Sequence, residues 1–342
     1  MYRRDFLTVI TGALAGLAGS ALTTVSPSMA PGRVSSTVLD RLDSRLADLR
    51  TLDDELGGGT NLRQMVVAEF RLLTQMAGHC DYDTVAGRRL FGLVAEAGRL
   101  CGWVHVDAAD HTEGQSYYEA ALRSSVLAND PMTGASILKN MAVQANFTRH
   151  HQHAIDLIDA AEQRTTHVTT PQLRALLATQ RARSHAMAGE AKPCGRALND
   201  AERHLDNTTT ATDSTRLYYF DEAEFQAQAA TCWVFLRQPL KARPLIDSAL
   251  NTMNPQYIRD RAIYHVRSSE AHLQANDLDM ACVELRSAAD LAERSQSMRA
   301  IRTIRSVRAA MSRHDAEPRV KALDSHLNAL PTDCGNDYTT VL

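Results

Sequence analysis

Apolar residues recur along this chain at helical spacing, and small residues recur in register with them. The segments HTEGQSYYEAAL (111–122), RHHQHAIDLIDAAE (149–162), GEAKPCGRALNDAE (189–202), RQPLKARPLIDSAL (237–250) and NDLDMACVELRSAA (276–289) superimpose without gaps on one small residue: Gly114, Ala154, Cys194, Ala242 and Ala281. Four residues after these anchors stand Tyr118, Ile158, Leu198, Ile246 and Leu285, and seven residues after them Ala121, Ala161, Ala201, Ala249 and Ala288. An i, i+4, i+7 stripe of this kind predicts the buried face of a helix. Twelve residues before the anchors lie Gly102, Ala142, Ala182, Ala230 and Ser269, all small, as close approach of a preceding first helix requires. The turns between first and second helices carry Ala109, Arg149, Gly189, Arg237 and Asn276. One of these five is the glycine that a left-handed C-cap prefers.

Five helix hairpins therefore repeat, near 95–128, 135–168, 175–208, 223–256 and 262–295. The anchors are 40, 40, 48 and 39 residues apart. That exceeds the roughly 34 residues of a minimal tetratricopeptide unit, so helices or inter-hairpin loops such as TTTATDS (208–214) absorb the difference. The expected fold is all-α, a right-handed solenoid of tetratricopeptide-like hairpins. LDRLDSRLADLRTLDDEL (39–56) and LRQMVVAEFRLLTQMA (62–77), split by Gly57, Gly58 and Gly59, are two further amphipathic segments that begin or cap the stack. MRAIRTIRSVRAAMSRH (298–314) and RVKALDSHLNAL (319–330) close its other end. The helical domain is expected over 37–330, with a disordered tail at 331–342.

Residues 1–36 read in two ways. Arg3 and Arg4 before the apolar run TVITGALAGLAGSAL and then SPSMA resemble a twin-arginine export signal. Equally, the segment is a linker, and the protein is cytoplasmic. The apolar run falls short of the roughly 20 residues of a stable membrane span.

Bulk chemistry narrows the function. The chain has 342 residues, 44% of them hydrophobic and 23% charged, with a formal net charge of −3. No global positive field is available to hold a phosphate backbone, so direct DNA binding by this chain is not expected. Six cysteines, Cys80, Cys101, Cys194, Cys232, Cys282 and Cys334, are scattered singly without zinc-ligand spacing. Several fall on core helix faces, a use of free thiols that suits a reducing compartment.

GWVHVDAADHTEGQSYYEAALRSSVLANDPMTGA (102–135), YYFDEAEFQAQAATCWVFLRQPLKA (218–242) and RDRAIYHVRSSEAHLQANDLDMA (259–281) resemble the carboxyl-terminal tetratricopeptide region of a large group of actinobacterial transcriptional regulators. The resemblance spans about 37–330. Such regulators usually begin with a lambda-repressor-like helix-turn-helix domain, which this sequence lacks. The resemblance implies a regulatory or sensory half that binds a peptide, a protein partner or a small effector. The alternative is an exported scaffold for protein–protein interaction. A homodimer is left open.

In such a stack the first helices face inward. Their exposed positions should fall one residue after each small packing residue, and three or four residues to either side. These are Arg99, Trp103 and Asp107 in the first unit and Lys139, Asn140, Val143 and Asn146 in the second. Gln180 and Arg183 follow in the third, Gln228 in the fourth, and Arg267 and Glu270 in the fifth. Lys139, Asn140, Asn146 and Arg183 would offer cationic and amide donors to a peptide carboxylate or backbone. His150, His151 and His153 cluster in a turn without acidic or cysteine neighbours, and read as a solvated loop rather than a metal site. His185 and His272 read as packed histidines. Asp221, Glu222 and Glu224 begin a helix and complement its dipole. Nucleophile elbows, phosphate loops, dinucleotide fingerprints and HExxH are all missing, so no enzyme and no cofactor is expected.

Overall fold

Many of the helix starts carry capping chemistry of their own. In the computed structural model, which describes residues 32–56, 59–207, 217–295 and 297–331, Asp83, Asp110, Asp130, Thr170, Asp221 and Ser297 each accept a hydrogen bond from a backbone N–H of the turn they open. Pro131, Pro171, Pro239 and Pro318 stand in first turns, where their missing N–H leaves no bond unmade.

Among the described residues there are fourteen α-helices and no strand. They are α1 (Ser36–Leu56), α2 (Thr60–His79), α3 (Thr84–Asp107), α4 (His111–Ala128), α5 (Pro131–Phe147), α6 (His151–Thr165) and α7 (Pro171–Met187). There follow α8 (Ala191–Asp206), α9 (Glu222–Phe235), α10 (Pro239–Thr252), α11 (Ile258–Gln274), α12 (Leu278–Ser295), α13 (Met298–Ala310) and α14 (Pro318–Leu327). The Arg3–Arg4 signal-like segment, the 208–214 loop, Gly57, Gly58 and the tail beyond Pro331 lie outside the described residues.

Neighbouring helices pack in pairs, α3 on α4, α5 on α6, α7 on α8, α9 on α10 and α11 on α12. The first helices also pack on one another in succession, α3 on α5, α5 on α7, α7 on α9 and α9 on α11. The small residues lie at these contacts: Ala142, Ala182, Ala230 and Ser269 have no exposed surface, nor do Ala121, Ala161, Ala201, Ala249 and Ala288. The fully buried ring of Tyr118 lies against Gly102.

All five hairpin turns adopt one geometry whether or not they hold glycine. Ala109, Arg149, Gly189, Arg237 and Asn276 all have φ between 55° and 79°. The next residue's N–H returns to the carbonyl five back, as in Asp110 to His105, His150 to Ala145, Glu190 to His185, Gln238 to Trp233 and Asp277 to His272. This double-bonded cap satisfies the helix's orphan carbonyls, and the second helix's packing holds a non-glycine residue in a left-handed conformation. Gly189→Ala is expected to lower the unfolding free energy by about 1 kcal/mol in urea titration. No atom lies near its missing Cβ, so the loss comes from the backbone alone. Ala109→Gly should move it the other way. Equal midpoints for all three proteins would show that the turns carry no strain.

The flanking helices do more than cap. Helix α1 packs on α2 and α3 and also reaches α11 and α12. There the Arg259 guanidinium lies 2.8 Å from Asp53 across 206 residues of sequence. Close by, Arg299 of α13 pairs with Asp107 of α3 at 2.7 Å, and the Arg302 guanidinium donates to the Ala108 carbonyl. First and last helix pairs are thereby tied together, and the inward-facing helices enclose a space.

Candidate functional site

That space is a cavity of about 1030 Å³ counting its mouth. Its walls come from α1, α3, α5, α7, α9, α11 and α13, together with the Tyr218–Tyr219 segment that precedes α9. Nine of the twelve inward-facing positions line it: Arg99 and Trp103 from α3, Lys139, Asn140 and Val143 from α5, Gln180 and Arg183 from α7, Gln228 from α9 and Arg267 from α11. These positions were expected to be exposed, and none of the nine is: Lys139, Asn140, Val143, Gln180 and Arg267 are buried and the other four half-buried, because the first helices face one another across the space.

Three positions sit elsewhere. Asp107 is buried at the end of α3, held by Arg299 and by the Ser297 hydroxyl. Asn146 donates from Nδ2 to Ser184 Oγ at 2.9 Å and contacts His151 Nδ1 through its Oδ1, fastening α5 to α7. Glu270 accepts from Arg267 at 2.5 Å and borders a separate depression near the Arg149 and Arg237 turns. Among the clustered histidines, His150 contacts the Thr148 hydroxyl and His151 opens α6. Among the described residues no three His, Cys, Asp or Glu side chains are gathered as metal ligands would be.

Charge is abundant in the cavity wall and mostly paired. Arg50 and Arg99 share Glu96, at 2.9 Å and 2.8 Å. Burial by itself would weaken the Arg99 cation, but the Glu96 carboxylate raises it above its usual range. Arg259, 4% exposed, faces Asp53, Asp54 and Asp260. Burial opposes its charge too, yet Asp53, Asp260 and Asp107 hold the guanidinium well above its usual value. Burial lifts Asp54 to about 6 against the pull of the Tyr218 hydroxyl, its hydrogen-bond partner. Trp103 lies between two of these cations, its ring centroid 5.6 Å from Arg259 and 5.1 Å from Arg299.

Glu224 stands in the first turn of α9, as expected, and has a further role. Asp221 caps α9, whereas the Glu224 carboxyl is buried against the cavity and accepts from Tyr264 at 2.9 Å and from Gln228 Nε2 at 2.7 Å. Gln228 Oε1 accepts in turn from Gln180 Nε2. Burial, reinforced by Asp260, raises Glu224 to about 8 against those hydrogen bonds. A carboxyl raised by folding stabilises the protein fully below its unfolded value of 4.5, and the contribution is lost as pH rises through 8. Glu224→Gln should therefore flatten the fall in thermal midpoint between about pH 5 and about pH 9. Parallel profiles for variant and wild type would contradict this assignment.

Arg50, Asp53 and Asp54 of α1, Tyr218, Tyr219, Arg259, Asp260, Tyr264 and Arg299 also line the cavity and were not anticipated. The adjacent tyrosines beyond a threonine-rich stretch and the acidic pair closing α1 were the available signals. Tyr219 takes its place because Gln172 Nε2 donates to the Leu217 and Phe220 carbonyls and pins the segment to α7. No protein-family model and no curated protein matches the chain.

Proposed function

We propose that this chain is a non-enzymatic regulatory module that encloses a small effector in its central cavity. Its finer architecture is then a right-handed solenoid of tetratricopeptide-like hairpins, drawn into a ring by α1 and α13. The observation that carries the reading is the cavity itself. It is walled by seven helices and lined by aromatic surface with convergent polar groups, the make-up of a small-molecule site. A long peptide or a folded partner would need the inner wall open, and the Asp53–Arg259 and Asp107–Arg299 pairs hold it shut.

Regulation follows from differential affinity. A ligand that touches walls from α1, α7 and α11 together favours the closed ring over any state in which α1 has lifted, and so shifts the population. Transcriptional control in the cytoplasm is the setting the sequence resemblance implies. Cys101, Cys194, Cys232 and Cys282, buried and not joined in disulfides, support a reducing compartment. No helix among the described residues is long and apolar enough to cross a membrane.

Native mass spectrometry of the full chain after incubation with a cell extract tests the reading. The expected result is one retained molecule of roughly a few hundred daltons, with protection of α1 amides from hydrogen exchange. Retention of a protein or a long peptide instead, with α1 amides deprotected, would replace the cavity reading with the open-groove one.

A further inference from the structure

Pairing the charges of the cavity wall one by one leaves a remainder. Glu96 takes Arg50 and Arg99, the aspartates of α1 and α11 take Arg259, Asp107 takes Arg299, and Glu270 takes Arg267. Among the described residues, Lys139 on α5 and Arg183 on α7 have no carboxylate at ion-pair distance. Lys139 Nζ reaches only the Tyr219 hydroxyl, at 3.3 Å, and lies 5.8 Å from that ring. The Arg183 guanidinium stands 5.7 Å from the Phe147 ring, and its buried Nε meets no acceptor.

The cations also work against one another. Burial, Arg99 and Arg183 together lower Lys139 to about 7, and burial, Arg267 and Arg299 lower Arg183 to about 10. Buried polar groups are ordinarily satisfied, and buried charges ordinarily paired. Two unpaired cations on successive inward helices are therefore unbalanced unless something else supplies negative charge. Beside them, Asn140 Oδ1 and Gln180 Oε1 are buried acceptors without a donor, on the same two helices. The donor atom of Gln180 is already committed to Gln228, which leaves its carbonyl oxygen as the free end.

Resting on the cavity reading above, we infer that the effector is a small oxyanion, a carboxylate or a phosphate. Its negative group lies between Arg183 and Lys139, and it carries a hydroxyl or amino donor that meets Gln180 and Asn140. Arg183 offers a planar set of donors matched to two oxygens of either anion, and Lys139 adds a point charge. The other cations of the wall each have a carboxylate within ion-pair distance, Arg50 and Arg99 sharing Glu96, so Lys139 and Arg183 are where the wall invites added negative charge.

Thermal unfolding of the full chain, with inorganic phosphate, pyrophosphate or citrate against sodium chloride of equal ionic strength, tests the inference. Phosphate and pyrophosphate separate the phosphate class from the carboxylate class that citrate represents. One of the two classes is expected to raise the midpoint by about 5 °C at saturation. Arg183→Gln and Lys139→Met should abolish the rise, while Arg123→Gln, which removes an exposed cation on α4, keeps it. Without probe, Arg183→Gln should be at least as stable as wild type, because it removes a half-buried charge that has no carboxylate partner among the described residues and whose buried Nε has no acceptor. A purely structural arginine would show the opposite sign. No oxyanion response from either class, or a response undiminished in Arg183→Gln, overturns the inference. A neutral or basic molecule retained in native mass spectrometry together with that result would leave the cavity reading standing; retention of nothing would remove both.

Discussion

Arg259→Met is expected to lower the unfolding free energy by about 3–5 kcal/mol, the largest effect of any single change on the closed ring. The substitution leaves Asp53, nearly as buried as its partner, without the charge that stabilises it. It also removes the guanidinium that faces Asp54 and Asp260 and donates to the Asp53 carbonyl. Breaking one side of a buried pair is far more damaging than removing both sides. Asp53→Asn combined with Arg259→Met should therefore recover much of the loss, and the coupling in the double-mutant cycle should exceed about 1 kcal/mol. Hydrogen exchange gives the structural readout: amides of 36–56 should lose protection in the single variant before those of α5 and α7 do. A loss below about 1 kcal/mol, or unchanged exchange in α1, would show that apolar packing and not the ion pair closes the ring.

Gly102→Ala reverses the sign that helix propensity dictates. In an ordinary helix the change gains about 1 kcal/mol. Here a Cβ would lie 2.3 Å from two carbons of the Tyr118 ring, which has no exposed surface into which to retreat. We expect a net loss of about 3 kcal/mol from overpacking, measured by chemical denaturation. Gly92→Ala, in the same helix, is the control: its Cβ would meet Ala128 at 3.9 Å, an ordinary contact, and the variant should gain stability. Equal gains at both positions would mean that Tyr118 is free to move, and that close helix approach is not what selects small residues at this register.

These two variants mark what the sequence could and could not reveal. The Gly102–Tyr118 contact belongs to a pattern repeated in every unit, so its register was legible from small and large residues alone. The turns were legible in place but not in conformation, since Arg149 and Arg237 adopt a backbone that their own chemistry disfavours. Inward-facing positions followed from helix geometry near the middle of each first helix. They failed towards the ends: Asp107 lies four residues past Trp103, which is about 6 Å further along the axis and about 40° around it. That displacement carries it out of the cavity and into the reach of Arg299. The closure itself left no periodic trace. Asp53 with Arg259 and Asp107 with Arg299 are single pairs between distant segments, and nothing in a repeat foretells which unique residues its flanking helices will join.

The place of α1 in the cavity wall also has a temporal side on the proposed reading. A guest that fits through the mouth only when the amino-terminal helix swings away leaves in that interval. Release is then a gated event whose lifetime is set by the opening frequency of the protein, and entry should level off at high guest concentration instead of climbing without limit. If the chain is the effector-binding module proposed above, it would hold its state after the surrounding concentration has fallen, for as long as that opening takes.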